Sequence, residues 1–222
     1  MTINKQTAEK IIFLSMITFL LLHAIVRHDS VAALISAVCG ITYTAFAGKG
    51  RPFCYLFGVC GSGFYSFLSF QSNLWGNLFL YLCYYIPMQI LGFFKWNKNL
   101  KQDKNEIIKI SLPKKEFLIL LSVSVFVALI SSFVLMKFND GHPYLDSLTT
   151  ILSIGGMYLT VRRAIEQWLF WTAVNALSFV MWLNVALSGG RVWSTVAMWA
   201  VYLFLGIYFY IEWKKELQTV NP

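Results

Sequence analysis

Apolar residues in this chain fall in long runs broken by short polar stretches, and the runs predict helices over residues 11–26, 31–48, 53–70, 74–95, 116–136, 144–161, 166–186 and 192–212. Each run approaches the ~20 residues that cross a bilayer. Gly and Pro stand inside the runs and no strand-length stretch alternates, so helices are favoured over a barrel. The first run is longer than the apolar core of a signal peptide, and no small-residue cleavage site follows it before Asp29 and Ser30, so a membrane helix is expected there too. The expected fold is an all-α integral membrane protein with eight transmembrane helices.

Polar positions within the runs are spaced regularly. In the seventh, Trp168, Trp171, Asn175, Ser178 and Trp182 recur at steps of three or four and share one helix face. Similar stripes pass through Gly58, Ser62, Tyr65 and Ser69 in the third run and Thr149, Ser153, Gly156 and Thr160 in the sixth. In the fourth, the stripe is Asn77, Tyr81, Tyr85, Gln89, Gly92 and Trp96. Two readings apply. Small residues let helices pack closely and indoles settle at membrane interfaces, or the faces meet a polar, aromatic small molecule. Packing is the expectation for Gly58, Gly156 and Thr160. Asn175 and Gln89 leave both readings open, because a carboxamide at membrane depth needs a partner in a medium without water.

Composition narrows the class. At 58% hydrophobic and 13% charged residues, a soluble globule is excluded. The net charge of +8 needs no nucleic acid to explain it, because the basic residues sort by side. With alternating spans, Lys5, Lys10, Lys49, Arg51, the seven lysines from Lys95 to Lys115, Arg162, Arg163, Lys214 and Lys215 share one side, against Arg27, Lys137 and Arg191 on the other. The positive-inside rule places the first set, and both termini, in the cytoplasm. The lysines between Lys95 and Lys115 are expected to be solvated, with anionic lipid headgroups as the alternative. Cys39, Cys54, Cys60 and Cys83 read as small apolar fillers. His23, His28 and His142 have no ligand spacing, so no metal or cofactor is expected.

An internal repeat organises the spans. Trp75 matches Trp193, Tyr81 matches Trp199, Tyr84 matches Tyr202, and the closing Trp96 and Trp213 agree after one gap. Both copies run from outside to inside, so the repeat is parallel: two three-helix bundles joined by a linking helix. The expected organisation is an extra N-terminal helix at 1–28, a first bundle at 29–96, a basic loop and linking helix at 97–142, a second bundle at 143–213 and a cytoplasmic tail at 214–222. Direction then gives depth. Ser62, Tyr85, Ser153, Asn175, Ser178, Trp199 and Tyr202 fall near the bilayer middle, Gln89 and Trp171 towards the cytosol, and Trp182 towards the outside. Aromatic faces attract a delocalised cation, and each amide offers a donor and an acceptor. Asp146 is expected to cap the sixth helix and Glu166 to pair with Arg162 or Arg163. No nucleophile, ligand set or carboxylate pair shares one depth, so an enzyme is not expected; a carrier is, with a receptor or scaffold as the remoter alternative.

These stretches resemble the PnuC family of bacterial vitamin transporters. The resemblance rests on NLWGN and YIPMQILGFFKW, then PYLDSLTTILS, VRRAIEQWLFW with Asn175, and the aromatic span closing at Trp213; E-x-W-x-x-W at Glu166, Trp168 and Trp171 is its most specific part. It implies a SWEET-like fold in the bacterial inner membrane and a homo-oligomer, a trimer. It also implies facilitated diffusion of nicotinamide riboside, with phosphorylation trapping the product inside. By the same resemblance Gln89, Trp171, Asn175 and Trp182 are the leading site residues. Trp faces would hold the pyridinium ring, Asn175 or Gln89 the carboxamide, and Ser62, Ser153 or Ser178 the sugar. Asn77, where the family often has an acidic residue, and Leu91 before Gly92, where it often has Tyr, keep thiamine or another vitamin open as the substrate.

Overall fold

A computed structural model describes residues 30–71, 78–101, 105–137, 143–188 and 193–220, with positions 14, 15, 17, 18 and 22. Seven helices lie among them. They are α1 (Val31–Gly48), α2 (Cys54–Gln71), α3 (a π-helical turn at Leu80–Tyr85 continuing as Ile86–Asn97), α4 (Lys114–Lys137), α5 (Pro143–Val161), α6 (Gln167–Leu187) and α7 (Trp193–Val220). Most of the expected span 11–26, together with Arg27, Trp75, Asn77 and Arg191, lies outside the described residues, as do the side chains of Ser69, Trp182 and Trp193.

Lys114–Lys137 and Val196–Thr219 are each long and apolar enough to cross a membrane, and Leu34–Gly48 is a shorter apolar helix. Seven of the eight expected spans are helices among the described residues, the first span lying mostly outside them, and two of the seven are long and apolar enough by themselves to cross a membrane. Helices α5 and α6 instead bury polar side chains, including Ser147, Ser153, Thr160, Asn175 and Ser178. The last helix runs on past Glu212 to Val220, so most of the expected tail is helical. Cys60 and Cys83 are exposed, unlike the fillers expected, whereas Cys39 and Cys54 are buried.

The chain divides into two compact units, one ending at Phe94 and one beginning at Lys95. In the first, α1 packs on α2 and α2 meets the π-helical turn of α3. Close approach there depends on missing side chains. A Cβ at Gly61 would lie 3.0 Å from the Cβ of Cys39, and one at Gly92 only 2.4 Å from the ring of Tyr55.

In the second unit, α4 packs on α5, α5 on α6, and α6 on α7. Its core gathers Leu152, Leu159, Ala164, Phe170 and Val174 around Leu112 of the preceding loop. Helix α4 turns Ser124, Ala128 and Ser132 inward and leaves Leu118, Phe126 and Phe133 exposed, as a lipid-facing helix would. Ser147 of α5 donates to the Ala128 carbonyl at 2.7 Å. Asp146 is not the cap: α5 begins at Pro143, which puts Asp146 in the first turn, where the helix dipole favours a carboxylate.

Two helix ends close with the same pair of bonds. Gly50 N–H donates to Ala47 and Arg51 N–H to Phe46 after α1; Arg163 N–H donates to Thr160 and Ala164 N–H to Leu159 after α5. Both need a left-handed residue, Gly50 at φ 67° and Arg163 at φ 64°. Glycine adopts this freely and arginine does not. Arg163 is held by the loop: its carbonyl accepts from Ile110 N–H at 3.1 Å, and its guanidinium donates to the Ile108 carbonyl at 3.1 Å.

Candidate functional site

The polar face of the first unit is built on an interruption. Pro87 has no N–H to donate and its ring would crowd the preceding turn. The chain accommodates it with the π-helical turn just before, where Ile86 N–H reaches the Tyr81 carbonyl five residues back. Gln89, one turn on, meets α2 at Ser62: its Nε2 donates to Ser62 Oγ at 3.1 Å, and the hydroxyl lies 3.3 Å from Oε1. Gly58 makes the room, since a Cβ there would stand 3.0 Å from Gln89 Cδ and 2.9 Å from the Tyr43 ring. Tyr85 is buried in a ring cluster, 4.8 Å from Tyr81 and 5.6 Å from Tyr84, and Tyr65 stacks on Tyr81 at 4.3 Å. Two expected site residues, Gln89 and Ser62, are therefore brought together, and each is the other's partner.

The second unit differs. Trp171 of α6 lies against Gly156 of α5, where a Cβ would come within 3.1 Å of the indole, and its Nε1 donates to Thr160 Oγ1 at 3.1 Å. Because α5 and α6 run antiparallel through a short turn, one helical turn further along each brings Ser153 level with Asn175, and a second turn brings Thr149 level with Ser178. On the other side, Gly206 of α7 faces Thr172 Oγ1 and Asn175 Nδ2, 2.8 and 3.7 Å from where a Cβ would be. Stepping back one turn along α7 from Gly206 puts Tyr202 at the level of Ser178, and Trp199 lies a further turn along. Trp199 and Tyr202 touch edge to face at 5.9 Å.

By this register Ser153, Asn175, Ser178 and Tyr202 come to neighbouring levels, whereas the Trp199 ring packs against the apolar core of Leu152, Phe170 and Val174. Ser153, Asn175 and Ser178 are all buried. Among the described residues no side-chain hydrogen bond is made by these three, and Trp199 Nε1 is buried without a partner, as are Trp168 Nε1 and Gln167 Nε2 at the start of α6. Other helical hydroxyls behave differently. Thr42, Ser66, Thr149 and Thr160 all donate to the carbonyl four residues back. Trp168, first in the α6 stripe, turns away to pack edge to face on Trp213 at 5.7 Å.

Comparison with known proteins matches residues 30–215 to the family model described as nicotinamide mononucleotide transporter. The nicotinamide riboside transporter PnuC of Neisseria mucosa is 31% identical over 84% of this chain and 73% of its own length. The protein of the same name from Haemophilus influenzae is 29% identical over 87% of this chain and 83% of its own. The crystal structure of the vitamin B3 transporter PnuC superposes with a TM-score of 0.81 at 29% identity, covering 95% of this chain and 92% of that one. The chain belongs to the PnuC family. It is a multi-pass, all-α transporter of the inner membrane, and not an enzyme.

After α3 this PnuC-family chain carries a structured cap that the sequence pattern alone does not reveal. The segment after Trp96 folds back on itself through Leu100 and Ile107, then lies beside the α5–α6 turn through Ile110 and Ala164. Glu166 does not pair with Arg162 or Arg163. Its Oε1 accepts from Ser111 Oγ at 2.8 Å and Leu112 N–H at 3.0 Å, while Arg162 pairs with Glu116. Lys101 and Lys109, expected in water or on lipid, both pair with Glu216 near the end of α7, and Lys109 also lies 4.9 Å above the Trp213 ring. Burial would raise the Glu216 carboxyl, but hydrogen bonds from the two ammoniums outweigh it and hold it below its usual value. The available signal was apolar alternation at Ile108, Ile110 and Leu112 inside an otherwise basic loop.

Proposed function

We propose that this protein carries nicotinamide riboside into the cell by facilitated diffusion, and that Asn175 is its central recognition residue. The observation carrying this is the buried carboxamide of Asn175, without a hydrogen-bond partner among the described residues, near the levels of the buried Ser153 and Ser178 hydroxyls and one turn from Tyr202. A pyridinium bearing a carboxamide and a ribose matches that set. The amide faces Asn175, the sugar faces hydroxyls, and the cation meets aromatic faces, including that of Trp171 one turn nearer the cytosol. Trp182 extends the stripe outward. Gln89, Ser62 and Tyr85 form the corresponding face of the first unit, already knit together.

This set of residues contains no Lys or Arg, and a phosphate dianion taken into it would lack a counter-charge. This favours the riboside over the mononucleotide. A cation held by indoles and amides, with no carboxylate, is bound moderately and released readily, as a carrier requires. The same reading includes eight spans in two parallel three-helix bundles around α4, cytoplasmic termini, a trimer, and retention of the product by phosphorylation. Calorimetric titration of the detergent-purified protein with nicotinamide riboside, thiamine and nicotinamide mononucleotide tests it. Saturable binding of the riboside alone is expected. Thiamine binding instead would change the vitamin, and no binding by any of the three would return the chain to a scaffold or receptor role.

A further inference from the structure

Thr160 is 1% exposed and every polar atom it owns is in use. Its hydroxyl donates to the Gly156 carbonyl at 2.8 Å, the ordinary back-bond of a helical threonine. The proton is thereby directed along α5, and an oxygen lone pair remains to accept Trp171 Nε1 at 3.1 Å. Its carbonyl accepts Trp96 Nε1 at 2.8 Å and Arg163 N–H at 3.0 Å, filling both lone pairs. One residue thus joins the end of α3, the α5–α6 turn and an aromatic residue of the transport face.

We infer that Thr160 is the positioning residue of Trp171. By holding the indole N–H, it leaves Trp171 only its π face to offer a ligand. Gly156 backs the ring on the α5 side, so the indole is clamped by a bond at its nitrogen and a contact along its fused edge. Trp171 therefore recognises a flat or cationic ring and makes no hydrogen bond to substrate. The inference rests on the reading of Trp171 as a substrate residue. It separates the tasks along α6: Trp171 supplies ring affinity and Asn175 supplies hydrogen-bonding specificity.

The test uses the full-length protein with Thr160→Val, which keeps the shape and removes the acceptor, and Thr160→Ser, which restores it. With 5-fluorotryptophan incorporated, Trp171→Phe assigns the Trp171 fluorine resonance. That resonance is expected to move in Thr160→Val and return in Thr160→Ser, with no ligand present. Affinity for nicotinamide riboside should fall about three- to tenfold in Thr160→Val, the equivalent of one hydrogen bond, and recover in Thr160→Ser. In a Trp171→Phe background, Thr160→Val should cost no further affinity. An unmoved fluorine resonance overturns the positioning role, as does an equal loss of affinity in both backgrounds. Failure of the wild type to bind the riboside would sink the substrate reading while the ligand-free resonance still decides Thr160. Thr160→Ala gives the same cycle if the valine variant does not fold.

Discussion

Gln89 and Asn175 are both carboxamides inside helices of a membrane transporter, and both are 7% exposed. In the first unit Gln89 is bonded to Ser62 and backed by Gly58; in the second Asn175 stands without a described partner beside Gly206. Residue type and burial therefore do not distinguish the two amides. The partner does. A buried polar group left unengaged in a low-dielectric medium is costly, and a ligand that satisfies it recovers that cost on binding.

The comparison breaks most directly at Asn175. Asn175→Leu should weaken nicotinamide riboside binding by about 1–3 kcal/mol while the melting temperature holds, since leucine suits the depth and leaves no described partner orphaned. Aggregation with affinity retained in the soluble fraction would make Asn175 a packing residue instead. Gly58→Ala acts on the other side of the contrast. Its methyl would press on Gln89 and Tyr43, so stability should fall by about 1–3 kcal/mol, read as a lower denaturation midpoint in detergent. An unchanged midpoint would mean the first unit yields more readily than its close packing suggests.

Gln89→Leu should reverse the Asn175 pattern. It loses about 0.5–1.5 kcal/mol of stability with the Ser62 bond, and less binding than Asn175→Leu. A larger loss of affinity than at Asn175 would exchange the roles of the two amides. The smallest effect is expected at the cap, which belongs to the second unit. Glu216→Gln should cost roughly 0.2–1 kcal/mol, because the Lys101 and Glu216 side chains keep about a third of their exposure and the buried Lys109 ammonium keeps the Trp213 face. Glu216 titrates below its unfolded value, so its contribution is complete above the ordinary carboxylate range near ~4.3 and is lost as pH falls towards the folded value. Hydrogen exchange at Lys101 and Ile108 N–H should show wild type and variant converging in acid. A constant difference across pH would take Glu216 out of the cap's energetics.

Helix positions, the polar stripes and the family were legible along the chain, because a bilayer imposes length and apolarity on every span and a helix repeats its faces every three or four residues. Residues 31–48 match α1 at both ends, and the stripe through Trp171, Asn175 and Ser178 lies on one helix as expected. Periodicity, however, places a residue on a face without naming what that face meets. Trp168 lies in the same stripe as Trp171 yet packs on Trp213, and Thr160, read as packing, holds the Trp171 nitrogen.

Contacts distant in sequence were decided in three dimensions alone. Lys101 and Lys109 read as members of a basic loop until α7 brings Glu216 to them, and Glu166 exchanges the arginines three and four residues before it for Ser111 and Leu112. The apolar code that builds the spans acts locally and collectively, summed over some twenty residues, so it can be read from the chain. A hydrogen bond or ion pair is made between single atoms about 3 Å apart, and which atoms come that close is set only when the helices have packed.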